Sequence, residues 1–194
     1  MNKTTNILFV GVGGQGTILA SNILSQGLID AGFDVKMSEV HGMAQRGGSV
    51  STQIRFGKKV YSPLIPEKEA DFILSFEKIE AGRWLNFLNP EGVLIINNYE
   101  IYPTTVLTGE NKYPEDILEK IKEKVKNCIT VDAANEALKL GNIKTQNMIL
   151  LGVLIGQLDI KSIDWENIIR NSLPEKIVEI NLKAFKTGLS IYKK

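Results

Sequence analysis

Apolar residues along this chain follow two rhythms. Ile7-Leu8-Phe9-Val10, Asp71 to Phe76, Val93 to Asn97 and Cys128 to Val131 are short apolar runs bounded by polar residues or glycine. Runs of this length predict strands buried on both faces, the pattern of a parallel sheet. Asp34 to Val40 predicts another strand. Ser49 to Phe56 alternates instead, with Val50, Thr52, Ile54 and Phe56 on one face. Gly57-Lys58-Lys59 can turn the chain and Val60-Tyr61-Ser62 can return it, which predicts a hairpin and so a mixed sheet.

The second rhythm is helical. Thr17 to Ala31 places Ile18, Leu19, Ile23, Leu24 and Leu28 on one side, and Gly32 follows where a left-handed cap belongs. Glu77 to Leu88 predicts a helix stopped by the turn sequence Asn89-Pro90-Glu91-Gly92. Asn98 to Pro114 reads as irregular, with a short strand near Thr105-Val106-Leu107, and Pro114 to Lys126 as a solvated helix with paired charges. Beyond Asp132 the chain predicts helices over Asp132 to Leu140, Thr145 to Leu158, Trp165 to Ser172 and Pro174 to Tyr192. Gly152 and Gly156 lie one turn apart in the most apolar of these, a spacing that suits close packing against a neighbour. The sum is an α/β chain: a three-layer, Rossmann-like α/β/α fold with a mainly parallel mixed sheet and a helical C-terminal third. No repeat or linker divides residues 1–194, so one domain is expected.

Composition changes this picture by exclusion. The 194 residues are 43% hydrophobic and 23% charged, with a formal net charge of +1. That balance offers no bulk attraction to nucleic acid or to an anionic membrane, and neither is expected as a partner. No run of apolar residues is long enough to span a bilayer, and the N-terminus lacks the pattern of a secretory leader, so a cytoplasmic location is expected. Cys128 is the single cysteine and His41 the single histidine. One thiol cannot supply the several thiolates of an iron–sulfur cluster, and one imidazole cannot build a multi-histidine metal site. Cys128 itself reads as a buried core thiol, and Trp84 and Trp165 as core or interface anchors.

Two segments carry candidate chemistry. Gly11-Val12-Gly13-Gly14-Gln15-Gly16 follows a strand and opens a helix at Thr17, the setting in which free backbone N–H groups and the helix dipole bind a phosphate. Gly11 permits the tight turn, Gly13 lets backbone approach a ligand, and Gly16 lets helix and sheet pack closely. Glu39 lies near the end of the second strand, roughly where a dinucleotide fold keeps its ribose-binding acid. The same glycines also serve a fold that needs only a tight strand-to-helix connection. The second segment, His41-Gly42-Met43-Ala44-Gln45-Arg46-Gly47-Gly48, follows that strand at the sheet's carboxyl edge. Arg46 could grip a carboxylate or phosphate with two hydrogen bonds, Gln45 adds an amide, and His41 is the candidate for proton transfer near neutral pH. A loop that only stabilises itself or meets a partner would use the same residues.

Taken together, the glycine turn and the run Ser38-Glu39-Val40-His41-Gly42-Met43-Ala44-Gln45-Arg46-Gly47-Gly48-Ser49-Val50 closely resemble the beta subunits of indolepyruvate:ferredoxin oxidoreductases. More broadly they resemble the gamma subunit or domain of pyruvate and ketoisovalerate:ferredoxin oxidoreductases. The likeness is strongest over the first sixty or so residues. It implies oxidative decarboxylation of a 2-oxoacid, here an arylpyruvate. Thiamine diphosphate forms the adduct, iron–sulfur clusters pass electrons to ferredoxin, and coenzyme A takes the acyl group. The resemblance also implies a larger alpha subunit that holds the thiamine and the clusters, because this chain has no Gly-Asp-Gly thiamine signature and only Cys128. The chain would then hold no cofactor alone. It assigns no catalytic role to His41 or Arg46. Two rival readings remain at this point: a self-contained NAD-dependent dehydrogenase built on Gly11, Gly13, Gly16 and Glu39, and a non-catalytic nucleotide-binding assembly module.

Overall fold

The computed structural model describes residues 4–41, 47–160 and 162–192, with the side chain of His41 outside the described set. Among the described residues six strands form one sheet: β1 (Thr5–Val12), β2 (Asp34–His41), β3 (Ser49–Gly57), β4 (Ala70–Ser75), β5 (Leu88–Asn97) and β6 (Cys128–Val131). Their order is β2-β3-β1-β4-β5-β6. β1, β4, β5 and β6 pair in parallel, and β3 runs antiparallel to both β1 and β2. The sheet is mixed and mainly parallel, as its two kinds of apolar pattern predict.

Among the described residues the α-helices are α1 (Thr17–Asp30), α2 (Lys78–Arg83), α3 (Thr104–Leu107), α4 (Ile117–Lys124), α5 (Ala133–Lys139), α6 (Gln146–Leu158), α7 (Trp165–Ser172) and α8 (Glu175–Tyr192). They cover both faces of the sheet. On one face Ile7, Phe9, Ile54, Phe56, Leu74 and Ile95 pack under α1, α5, α6, α7 and α8. On the other, Leu8, Val10, Ile73, Leu94 and Ile96 pack under α2, α4 and Ile65. α6 is buried along nearly its whole length, so its apolar run belongs to the core and not to a docking surface. Gly152 lets it approach α8: a Cβ there would overlap Phe185 O and lie 3.0 Å from Gly188 Cα. Gly32 adopts the left-handed cap expected after α1, with φ 84°.

Several expectations are corrected. β3 does not pair with Val60-Tyr61-Ser62, which is not a strand; its hairpin partner is β2, through the 42–48 segment. β3 therefore slots between β1 and β2, which are not neighbours in the sheet. The segment after β3 is held as a strap instead, by Arg55 donating to Ser62 O and Leu64 O, and by Ile65 N donating to Gln53 Oε1 at 2.6 Å. The helix expected over Glu77 to Leu88 is α2 followed by a 3-10 turn at Leu85–Phe87, because Glu77 caps α2 and Trp84 closes it. Asn89-Pro90-Glu91-Gly92 is not a separate turn but an irregularity inside β5, where Ala70 opposes Leu88 and Phe72 already opposes Val93. Thr105-Val106-Leu107 lies in a helical turn, α3, and not in a strand. Cys128 is half-buried, since β6 is an edge strand; burial still pushes its thiol pKa up. Among the described residues no helix is long and apolar enough to cross a membrane.

Candidate active-site cleft

The carboxyl ends of β1, β4, β5 and β6 converge at one end of the sheet. The chain leaves β1 for α1 on one face and β4 for α2 on the other. Such a divergence opens a crevice in α/β sheets, and ligands bind there. A cleft of about 960 Å³ occupies this end, on the α1 and α6 side. Gly13, Gly14, Gln15 and Gly16 form one wall, Tyr99 and Ile101 a second, and residues 142–147 with Ile177 and Asn181 of α8 the third.

The glycine turn is shaped by conformations that only glycine takes easily. Gly14 has φ 101° and faces open space; Gly16 has φ 79° and caps α1. Gly16 also lies against α6, where a Cβ would come 2.5 Å from Asn147 Nδ2. Gly11 has no room either: a Cβ would meet Gln15 Oε1 and Phe76 Cβ at 2.9 Å and Thr17 Cγ2 at 3.0 Å. Gln15 is 7% exposed and fixes the turn, its Oε1 accepting from Val12 N at 2.8 Å and its Nε2 donating to Phe76 O at 2.9 Å. Among the described residues no side chain caps α1, so its first N–H groups lack a side-chain acceptor beside the cleft.

The second sequence segment meets the first. Gly13 N donates to Gly48 O at 2.8 Å and Gly47 N to Gly13 O at 3.3 Å. Ser49 Oγ, at the base of that loop, donates to Glu80 Oε2 of α2 at 2.5 Å. The structure therefore unites Gly11, Gly13, Gly14, Gln15, Gly16, Thr17, Gly47 and Gly48. The His41 side chain, Gly42, Gln45 and Arg46 lie outside the described residues. Glu39 is not brought to the cleft. It opposes Thr52, which opposes Phe9, on an edge strand two spacings (about 10 Å) from β1. The insertion of β3 thus separates this acid from the glycine turn, and a dehydrogenase reading loses its ribose ligand.

No sequence motif marks the buried amides around the cleft. Asn97 ends β5 and is wholly buried; Gln146 and Asn147 open α6 and are 8% and 3% exposed. Asn147 Nδ2 donates to Gly16 O at 3.3 Å, tying α6 to α1. The available signal was polar residues at the ends of otherwise apolar elements: Asn97 after Val93 to Ile96, and Gln146-Asn147 before Met148. Lys144 is an exposed cation on the same rim.

Behind the second wall lies a buried acid. Glu77 is 1% exposed; its carboxylate accepts from Glu80 N at 3.0 Å and from Tyr113 Oη at 2.7 Å. A longer bond from Ile101 N, 3.4 Å, joins it to the cleft wall. Burial pushes the Glu77 pKa up despite these donors, and burial with the adjacent carboxylate pushes the Tyr113 phenol up, so it stays a donor. A raised carboxyl pKa favours the protonated form in the fold. Its stabilising contribution is full below the ordinary 4.5 and is lost as pH rises through the higher folded value. Denaturant titrations from about pH 4 to pH 8 should show wild type losing ground to Glu77→Gln, at up to about 1.4 kcal/mol per pH unit. A stability difference flat across that range would disprove the burial effect.

The chain matches the family model described as pyruvate ferredoxin/flavodoxin oxidoreductase over residues 6–191. It is 40% identical over 198 residues to indolepyruvate oxidoreductase subunit IorB of Pyrococcus horikoshii, covering 98% of this chain and 97% of that protein. It is 41% identical over 187 residues to the subunit of the same name from Archaeoglobus fulgidus, covering 94% and 92%. Among solved structures it superposes on pyruvate oxidoreductase subunit PORC of Thermotoga maritima with a TM-score of 0.73, at 21% identity, over 100% and 97% of the two chains. It also superposes on 2-oxoglutarate:ferredoxin oxidoreductase of Magnetococcus marinus with a TM-score of 0.76 and 17% identity; there all of this chain corresponds to 32% of a longer one. By these matches the chain belongs to the pyruvate ferredoxin/flavodoxin oxidoreductase family.

Proposed function

We propose that this chain is the small subunit of a 2-oxoacid:ferredoxin oxidoreductase acting on an arylpyruvate such as indolepyruvate. The observation that carries this reading is near-full-length identity of about 40% to subunits named for indolepyruvate. Identity to pyruvate/ketoisovalerate gamma subunits is lower, 28% for that of Pyrococcus furiosus. The donor set supports a division of labour. A chain with one cysteine and one histidine does not fit an iron–sulfur cluster, so the clusters, and with them the thiamine diphosphate, belong to a larger partner. When bound there, thiamine supplies the decarboxylation chemistry and the clusters carry electrons to ferredoxin.

This chain's own residues contribute the cleft. Free N–H groups at the start of α1 and the Lys144 ammonium give it a positive rim for an anion. We assign that rim to the phosphate-bearing part of coenzyme A. The test is reconstitution. The purified chain should show no arylpyruvate-dependent dye reduction alone, and co-expression with its large subunit should give coenzyme A-dependent turnover. Full activity of the isolated chain would overturn the reading. So would a large subunit whose activity the chain does not raise.

A further inference from the structure

Gln146 is almost wholly buried, yet it lines the cleft. Its Oε1 accepts from Asn97 Nδ2 at 2.9 Å. The other end of the amide, Nε2, has no partner among the described residues, in a residue that lines the cleft. Which end faces outward is not free to vary. The backbone N–H of Ala133 donates to Asn97 Oδ1 at 3.1 Å. A backbone N–H can only donate, so the oxygen of Asn97 must point to it and the nitrogen must point away. That nitrogen has two hydrogens, directed to Phe76 O at 3.3 Å and to Gln146 Oε1. Phe76 O also accepts from Gln15, whose own oxygen is held by Val12 N. The amide chain thus begins and ends on backbone donors and can be read in only one sense. Gln146 is compelled to offer Oε1 inward and Nε2 outward.

We infer that Asn97 is a positioning residue that sets the specificity of the cleft without touching its occupant. By locking the Gln146 amide it makes this buried polar group a donor. Beside the free N–H groups of α1 and Lys144, the donor selects oxygens that only accept, as a phosphoryl group presents. This rests on the reading that the cleft takes a phosphate-bearing co-substrate. Asn97→Asp exposes the logic. Ala133 N still has an acceptor, but the second oxygen of the ionised carboxylate has no hydrogen for Phe76 O or for Gln146, both of which it faces. The Gln146 amide must turn to donate to it, and its oxygen then faces the cleft. The polarity reverses with no change in any cleft-lining residue.

The experiment uses the complex of this chain with its large subunit. kcat/KM is measured for coenzyme A and for pantetheine, a thiol without phosphate, and inorganic pyrophosphate serves as a competitor. For Asn97→Asp, kcat/KM for coenzyme A should fall on the order of tenfold or more, the loss of one hydrogen bond to a charged oxygen. Pyrophosphate inhibition should weaken in parallel, and kcat/KM for pantetheine should hold. Gln146→Glu keeps the bond from Asn97 and removes the donor, so it should show the same split. If Asn97→Asp does not fold, the wild-type complex with this chain labelled with 15N decides. Coenzyme A should shift one glutamine side-chain NH2 pair, the pair missing from Gln146→Glu; no such shift overturns the inference. Equal losses for both thiols, or variants indistinguishable from wild type, also overturn it while leaving the proposed function standing. Failure of the wild-type complex to use coenzyme A, or of pyrophosphate to compete, removes the reading beneath it.

Discussion

Gly188→Ala is expected to lower the stability of the fold by about 3 kcal/mol. Gly188 of α8 and Gly152 of α6 face one another at the closest approach of the two helices. A Cβ on Gly188 would overlap Ile149 O and lie 3.0 Å from Gly152 Cα. Both obstacles are backbone, so no rotamer change relieves them and the helices must separate. α6 has nowhere to go, because the sheet, α1 and α5 close its other sides. For a chain of this size the thermal midpoint should fall by about 6–12 °C. Gly156→Ala is the control: its Cβ would meet the ring of Tyr192 at 2.6 Å, near the end of α8, where a side chain can move aside. A Gly188→Ala midpoint no lower than that of Gly156→Ala would defeat the argument. The seam also bears on the cleft, since α6 carries Gln146 and Asn147 and α8 carries Ile177 and Asn181.

The strands at the middle of the sheet were legible because burial on both faces leaves no polar position to confuse the pattern. Ile7 to Val10 and Val93 to Ile96 are cases. The placement of β3 was not legible. Its alternation says that one face is buried but not which strand lies beside it, and Gly57-Lys58-Lys59 offered a plausible turn to the wrong partner. Choosing β2 instead depends on a full ladder from Asp34–Gly57 to His41–Val50, a long-range fit that no local signal reports. The same insertion carries Glu39 away from the glycine turn, so one misplaced strand also misplaced a candidate ligand residue.

The site divides along the same line. The glycine turn was legible because its geometry excludes other residues locally. The amides were not, because an amide has no fixed role until its partners are known. Asn97 meets Gln146 across 49 positions, and Asn147 meets Gly16 across 131. A buried Asn that ends an apolar strand is a sign of polar wiring, but only the fold names the other terminal.

Gly16→Ala should be the most damaging single change at the cleft, because it fails in two ways at once. The residue sits at φ 79°, where a side chain costs about 1–2 kcal/mol. Its Cβ would also lie 2.5 Å from Asn147 Nδ2, pushing α6 from α1 or breaking the bond from Asn147 to Gly16 O. Either response widens the gap between the free N–H groups of α1 and the donor on Gln146, which must act on one anion together. Stability should fall by about 2–4 kcal/mol, and kcat/KM for coenzyme A in the reconstituted complex by at least about tenfold. Gly32→Ala separates the two effects. Gly32 has φ 84°, faces open space and lies at the far end of α1 from the cleft. It should lose stability through backbone strain alone and leave kcat/KM unchanged. If the two variants are equally stable and equally active, the contact between α1 and α6 is not what organises the cleft, and the anion must be held by the glycine turn without help from α6.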